Sequence, residues 1–141
     1  MFGEKFITSQ GQITVGLKWV IVLPKFTYVE MNDELQFAKI KENACFTIFS
    51  KNQIFKKLSI LVSKQENAKD DEEYEFIQQQ IDKLQNYCFG VQTADSQHQV
   101  IIPKTLRDNL TIGQKIYAEG GIALQIPCLH VYSDKQMIKR T

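Results

Sequence analysis

At 141 residues, 43% of them hydrophobic and 23% charged, the chain has the make-up of one globular domain with a modest core. A formal net charge of +1 exerts no global pull on nucleic acid or membrane, so any nucleic-acid surface must be a local patch. No apolar run approaches the roughly 20 residues of a membrane span. The N-terminal Met1-Phe2-Gly3-Glu4-Lys5 lacks the apolar core of a signal peptide, and Cys45, Cys88 and Cys128 show no zinc-ligand spacing. Reduced, buried thiols in the cytoplasm are expected.

Glu4 to Ser9 alternates as a strand does, and Gln10-Gly11-Gln12 reads as a turn. Ile13 to Leu23 is rich in β-branched residues and broken by Gly16. It is either one long strand bulged at Gly16 or a hairpin that turns there. Pro24 opens one or two helical turns over Lys25 to Glu30, and Asn32-Asp33 is a turn. Leu35 to Ile40 and Cys45 to Phe49 are strands joined through Lys41-Glu42-Asn43-Ala44.

Two helices follow. Ile54, Leu58, Leu61 and Val62 form an amphipathic stripe behind Ser50, with Gln53 placed to complete a capping box. Gln65 to Lys69 is a polar break. Asp70, Asp71, Glu72 and Glu73 suit the positive end of a helix dipole, and Tyr74, Ile77, Ile81 and Leu84 continue at helical spacing. A solvated helix start explains the acidic run, and a soluble helix face explains Gln78-Gln79-Gln80.

Tyr87 to Ala94 is a strand. Asp95 to Leu110 is a polar turn, the run Val100-Ile101-Ile102, then Pro103 at a helix start, with Leu106 and Leu110 on one helix face. Ile112-Gly113 is a helix-exit turn. Ile116 to Glu119 is a strand, Gly120-Gly121 a turn, and Ile122 to Ile126 another strand. Pro127 marks a bulge or edge before Leu129 to Tyr132, and Asp134 to Lys139 is a short terminal helix.

The chain repeats itself in order. Val20-Ile21-Val22-Leu23-Pro24-Lys25-Phe26 matches Gln99-Val100-Ile101-Ile102-Pro103-Lys104-Thr105, with the prolines 79 apart (103 − 24). Ile48-Phe49-Ser50-Lys51-Asn52-Gln53-Ile54 matches Val131-Tyr132-Ser133-Asp134-Lys135-Gln136-Met137, with the serines 83 apart (133 − 50). This predicts an internal duplication whose halves share strands: a first repeat over about residues 1–64, a helical hairpin over about 51–86 and a second repeat over about 87–141.

No glycine-rich phosphate loop and no catalytic signature occurs. His130 lies in an apolar strand and is expected to be hydrogen-bonded and structural. His98 sits in the Asp95 turn, as a surface residue or a partner contact. Nothing pairs a nucleophile with a base, so no enzymatic activity, cofactor, metal or small-molecule substrate is expected.

The duplicated turn–strand–Pro–helix unit around a helical hairpin resembles the MraZ family of bacterial transcription regulators, which have the AbrB-like swapped-hairpin fold. Phe2-Gly3-Glu4-Lys5-Phe6 resembles the family's opening strand, and Pro24-Lys25-Phe26 its first helix start. Cys45-Phe46-Thr47-Ile48-Phe49 with Ser50 to Leu58 resembles its strand into an amphipathic helix. Asp95-Ser96-Gln97-His98-Gln99-Val100-Ile101-Ile102-Pro103 with Leu106-Arg107 resembles its second Asp-x-x-Gly-Arg segment.

The resemblance implies an α+β chain of tandem duplicated β-barrel halves around a helical hairpin. It implies a cytoplasmic, nucleoid-associated regulator that self-associates into a ring-like homo-oligomer on double-stranded DNA. The family's DNA-contacting arginine is Gln99 here, and its glycine is His98. In the first half, counting back from Pro24 puts Gly16 and Val20 at the signature positions, while counting forward from Gly3 puts Ser9-Gln10-Gly11-Gln12 at the turn.

Glutamine keeps hydrogen bonding to adenine or phosphate but releases no counterion. The implied DNA-binding residues are Gln10, Gln12, Lys18, Gln97, His98, Gln99, Lys104 and Arg107, with Lys5 and Lys25 adding local charge. For Lys104 and Arg107, a solvated helix face or an ion pair with Asp108 is the alternative. A protein-interaction module that has lost DNA binding is the second reading; an apolar turn face favours it, a basic one favours DNA.

Overall fold

The computed structural model describes residues 9–28, 31 and 34–134. Most of the strand expected over Glu4–Ser9, Lys5, the end of the Lys25–Glu30 turns, the Asn32-Asp33 turn and nearly all of the terminal helix lie outside the described residues.

Among the described residues, eight strands and two α-helices make an α+β fold. The strands are β1 (Gln10–Thr14), β2 (Val20–Val22), β3 (Glu34–Ala38), β4 (Phe46–Ser50), β5 (Cys88–Thr93), β6 (Gln99–Ile101), β7 (Lys115–Ala123) and β8 (Ile126–Tyr132). The helices are α1 (Lys51–Glu66) and α2 (Asp71–Tyr87). One antiparallel sheet has the order β1-β7-β8-β4-β3-β5, and β2 with β6 forms a separate antiparallel ribbon.

Alternation sorts the sheet's side chains into two cores. Phe37, Phe46, Ile48, Ile116, Leu129 and Val131 pack beneath the ribbon with Ile21, Leu23, Val100 and Ile102. Phe49 and Cys128 point to the other face and meet Ile54, Leu61, Ile77, Ile81 and Leu84 of the helices. The layers are therefore ribbon, sheet and helical hairpin. β4 and β8, buried on both faces, read as near-continuous apolar runs, and each fully buried Phe contributes about 2–3 kcal/mol of transfer free energy.

The helices form as expected, with corrections at their edges. Val62 and Tyr74, placed in the apolar stripes by spacing, are exposed. Ser50 precedes α1 without a side-chain cap bond, because it still belongs to β4, opposite Leu35. The reciprocal cap forms at α2: Asp70 Oδ1 accepts from the Glu73 N–H (2.8 Å), and Glu73 Oε2 from the Lys69 N–H (3.0 Å). The acidic run thus starts a helix, and Gln65 Nε2 donates across the hairpin to Gln78 Oε1 at 2.7 Å.

Three glycine-based expectations fail. Gln10-Gly11-Gln12 is strand rather than turn: Gly11 lies opposite Ala118, and a Cβ there would stand 2.9 Å from Pro24. Gly120-Gly121 lies inside the nine-residue β7, with Gly121 backed against the His130 ring; the turn is Leu124-Gln125, both at left-handed φ (55° and 64°). Ile13–Leu23 is neither one bulged strand nor a paired hairpin, because the chain turns through a tight loop at Gly16–Trp19, with Lys18 and Trp19 at left-handed φ, and leaves the sheet for the ribbon.

Pro127 lies opposite Ile122 and just outside the β4–β8 ladder, which ends at Phe49 and Cys128, so its missing N–H costs that ladder nothing. Leu106 and Leu110 do not share a helix: a 3-10 helix spans only Lys104–Leu106, and both leucines reach the ribbon-side core separately.

Candidate nucleic-acid interface

The ribbon pairs Val20 with Ile101, Ile21 with Val100 and Val22 with Gln99. Alternation buries Ile21 and Val100 and leaves Val22 and Ile101 exposed. A tight loop leads into each strand. In the first, the Gly16 N–H donates to Val20 O (2.8 Å) and the Trp19 N–H to Gly16 O (3.1 Å). In the second, the Asp95 N–H donates to Gln99 O and the His98 N–H to Asp95 O, both at 3.0 Å. Lys18, Trp19 and His98 adopt left-handed φ of 61°, 64° and 60°. Asp95 stiffens its loop, its Oδ1 accepting from the N–H groups of Gln97 (2.8 Å) and Gln99 (2.9 Å).

The segments bond across to each other. The Leu23 N–H donates to His98 O and the Ile102 N–H to Trp19 O, each at 3.0 Å. Pro24 and Pro103 then start the 3-10 helices Lys25–Thr27 and Lys104–Leu106. Each ribbon end therefore joins one segment's loop to the other segment's helix start.

At the Trp19 end, the Arg107 guanidinium carbon lies 5.4 Å from the Trp19 ring centroid, and Arg107 Nε donates to Ile102 O at 2.9 Å. At the His98 end, the His98 ring stacks on Tyr28 at 3.5 Å between centroids and 7° between planes. His98 Nδ1 is buried and makes no hydrogen bond.

Lys18, Lys25, Gln97 and Lys104 are exposed around these ends, and His98, Gln99 and Arg107 are half-buried. Arg107 is neither on a solvated helix face nor held by Asp108; it is tied to a carbonyl and an indole. Gln10 and Gln12 are exposed on the sheet's edge strand β1, opposite Glu119 and Tyr117, so they belong to no loop. The loop before the first ribbon strand is the one that counting back from Pro24 locates, at Gly16. Trp19 and Tyr28 went unnoticed in the sequence. The 79-residue spacing would have found both, since it carries Trp19 to His98 (98 − 19) and Tyr28 to Arg107 (107 − 28).

His130 is structural, as expected. Its Nδ1 lies 2.9 Å from Thr47 Oγ1 and its Nε2 3.4 Å from Cys128 Sγ. Burial, aided by the Lys41 charge, lowers its pKa to about 4. Burial pushes the Cys128 thiol up to about 12, against a smaller opposing pull from Lys41. A neutral imidazole beside a protonated thiol offers no nucleophile at neutral pH. Burial also raises Cys45 and Cys88. Among the described residues, no group of three or more His, Cys, Asp or Glu side chains could hold a metal ion, and no helix is long and apolar enough to cross a membrane.

Compared with models of known protein families and with curated proteins, the chain matches none.

Proposed function

We propose that this protein is a DNA-binding transcriptional regulator of MraZ-like design, built from tandem duplicated halves and acting as a ring-like homo-oligomer on promoter repeats. The observation that carries the reading is the ribbon. Its ends each join a left-handed loop of one segment to the 3-10 helix of the other and carry Lys18 with Lys104 and Arg107, or Lys25 with Gln97.

Supporting the duplication, the 79-residue offset relates β2 to β6 (99 − 20), the two 3-10 helices (104 − 25) and the loop hydrogen bonds. It also relates Gly11 beneath Pro24 to Gly90 beneath Pro103 (90 − 11). Exchanging β1 with β5, β3 with β7 and β4 with β8 turns the sheet order β1-β7-β8-β4-β3-β5 into its reverse. In the barrel-like reading, the sheet and ribbon close around the shared core.

In this reading the lysines anchor phosphates, and Gln97 and Gln99 offer neutral hydrogen bonding near a groove. Arg107 is already engaged, so each subunit releases few counterions and binds weakly alone. Several tethered copies on repeated sites compensate through effective concentration. Cytoplasmic, nucleoid-associated location follows from the same proposal. Gln10 and Gln12 are dropped from the contact set because they lie on β1.

The test is fluorescence anisotropy with duplex from the gene's own upstream region, titrated across salt beside a scrambled duplex. Preference for the upstream duplex with a steep salt slope is expected. No binding at low salt by folded protein rejects the proposal. One observation favours a protein-interaction module instead: Val22, Ile101 and Leu17, the last 80% exposed, place apolar surface on the ribbon and its loop. That reading predicts DNA binding as weak for the upstream duplex as for the scrambled one.

A further inference from the structure

On the opposite side of the sheet from the ribbon, α1 carries a face that stays open among the described residues. Phe55 is 66% exposed and Val62 42% exposed, and they line a shallow groove with Leu58, Ser59, Ser63 and Glu66. The spacing 55, 58, 59, 62, 66 keeps these residues on one stripe of the helix. Apolar side chains this large are seldom left outward in a row on a charged helix without a partner.

We infer that α1 docks antiparallel against α1 of a second copy, about a two-fold axis passing between Leu58 and Ser59. In an antiparallel pair with this symmetry, positions whose numbers share one sum lie opposite each other. The stripe satisfies that condition. Phe55 faces Val62 of the second copy (55 + 62 = 117), Leu58 faces the small Ser59 (58 + 59 = 117), and Lys51 faces Glu66 (51 + 66 = 117). Large meets small at the centre, aromatic meets aliphatic on either side, and opposite charges close both ends. Such self-complementarity selects a second copy of this chain over an unrelated partner, which would have no reason to match all three pairs.

Lys51 already bonds Glu34 at 2.8 Å, but both side chains are nearly half exposed, so the lysine is free to serve both carboxylates. A contact of four helical turns is small for a stable dimer, so association is concentration-dependent. The inference goes beyond the DNA-binding reading and concerns a different surface, because ribbon and hairpin occupy opposite faces of the sheet. A monomeric wild type would count against the oligomer in both, whereas loss of association in Phe55→Ser with DNA binding retained separates them.

Sedimentation velocity on the full chain across a concentration series tests it. The wild type should associate reversibly. Lys51→Glu alone and Glu66→Lys alone should each weaken association at least tenfold, because each places like charges at both ends of the helix pair. Mixing the two variants should restore association, since both mixed pairs are again opposite in sign. Phe55→Ser should abolish association, and no mixing should rescue it. Circular dichroism checks folding, and the mixed sample guards against misfolded single variants, which would not complement each other. A wild type that stays monomeric leaves this face to a different protein and overturns the inference, as does unimpaired association of Phe55→Ser or failure of the mixture.

Discussion

The two ends of the ribbon share a backbone and differ in chemistry. At both, a loop N–H bonds back onto the following strand, a left-handed residue carries a half-buried ring, and an amide from the other segment donates to that residue's carbonyl. At one end the ring is Trp19 and carries the Arg107 guanidinium, with Lys18 and Lys104 exposed nearby. At the other the ring is His98, stacked on Tyr28, with Lys25 and Gln97 exposed. Main-chain hydrogen bonds hold the frame, so side chains are free to diverge upon it. The divergence concentrates positive charge at the Trp19 end, and a ligand that reads charge would meet a polar molecule rather than a symmetric one.

Several variants break or sharpen this contrast. The largest effect lies at the centre of the sheet, where Thr47 and His130 sit opposite each other, and it fixes the pH range in which the ends are fairly compared. In the unfolded chain His130 takes up a proton near pH 6.5; in the folded protein it stays neutral until about pH 4. Acid therefore favours unfolding, and His130 alone should remove about 3 kcal/mol between those two values, with little further loss below. Urea melts of the wild type and His130→Gln across this window should diverge above pH 6.5 and converge as pH falls.

Next come the glycines beneath the prolines. A Cβ on Gly11 would stand 2.9 Å from Pro24, whereas one on Gly90 would stand 3.5 Å from Pro103. Gly11→Ala should cost about 1–3 kcal/mol through overpacking, while Gly90→Ala should stay within about 0.5 kcal/mol of wild type. Equal costs in chemical denaturation would show that the two ends pack alike. Asp95→Ala should cost about 1–2 kcal/mol, because the Gln97 and Gln99 amides lose their acceptor. The Gly16 loop has no side chain in that role, so hydrogen exchange should rise in one loop only.

The smallest effects concern the proposed DNA contacts. Changing Lys18 and Lys104 to alanine together should weaken binding about tenfold at moderate salt and reduce the salt slope by about 2. Changing Lys25 and Gln97 together should reduce the slope by only about 1. Identical slopes would mean that the charge difference between the ends does not reach the nucleic acid.

Much of the fold was legible where local chemistry decides it. The ribbon strands, the prolines after them, both helices and the strands through Phe37 and Phe46 follow from β-branching and apolar period. The failures cluster at glycine. Gly11 and the Gly120-Gly121 pair were read as turns because glycine usually gives backbone freedom, yet here Gly11 makes room for Pro24 and Gly121 for the His130 ring. The real turn, Leu124-Gln125, holds two left-handed residues with no glycine, asparagine or aspartate to announce it. Of the candidate site, the lysines and the Asp95 loop could be seen, since the turn signal is local. The pairing of Arg107 with Trp19 and of His98 with Tyr28 could not, because it exists only once the two segments cross.

The interleaved strand order has a consequence for how the molecule comes into being. β1 pairs with β7, so Gln10 finds its place only when Glu119 is available, and β5 takes its place beside β3, with Glu34 opposite Thr93. Three of the sheet's five pairings, β1–β7, β4–β8 and β3–β5, thus join segments remote in sequence, whose loop-closure entropy must be met before they reward the chain. During synthesis β1 and β2 emerge with their partners still untranslated, while β3 with β4 and α1 with α2 can close locally. Refolding should accordingly show helix before sheet, and a ribosome stalled before β7 should hold β1 in a protease-sensitive state.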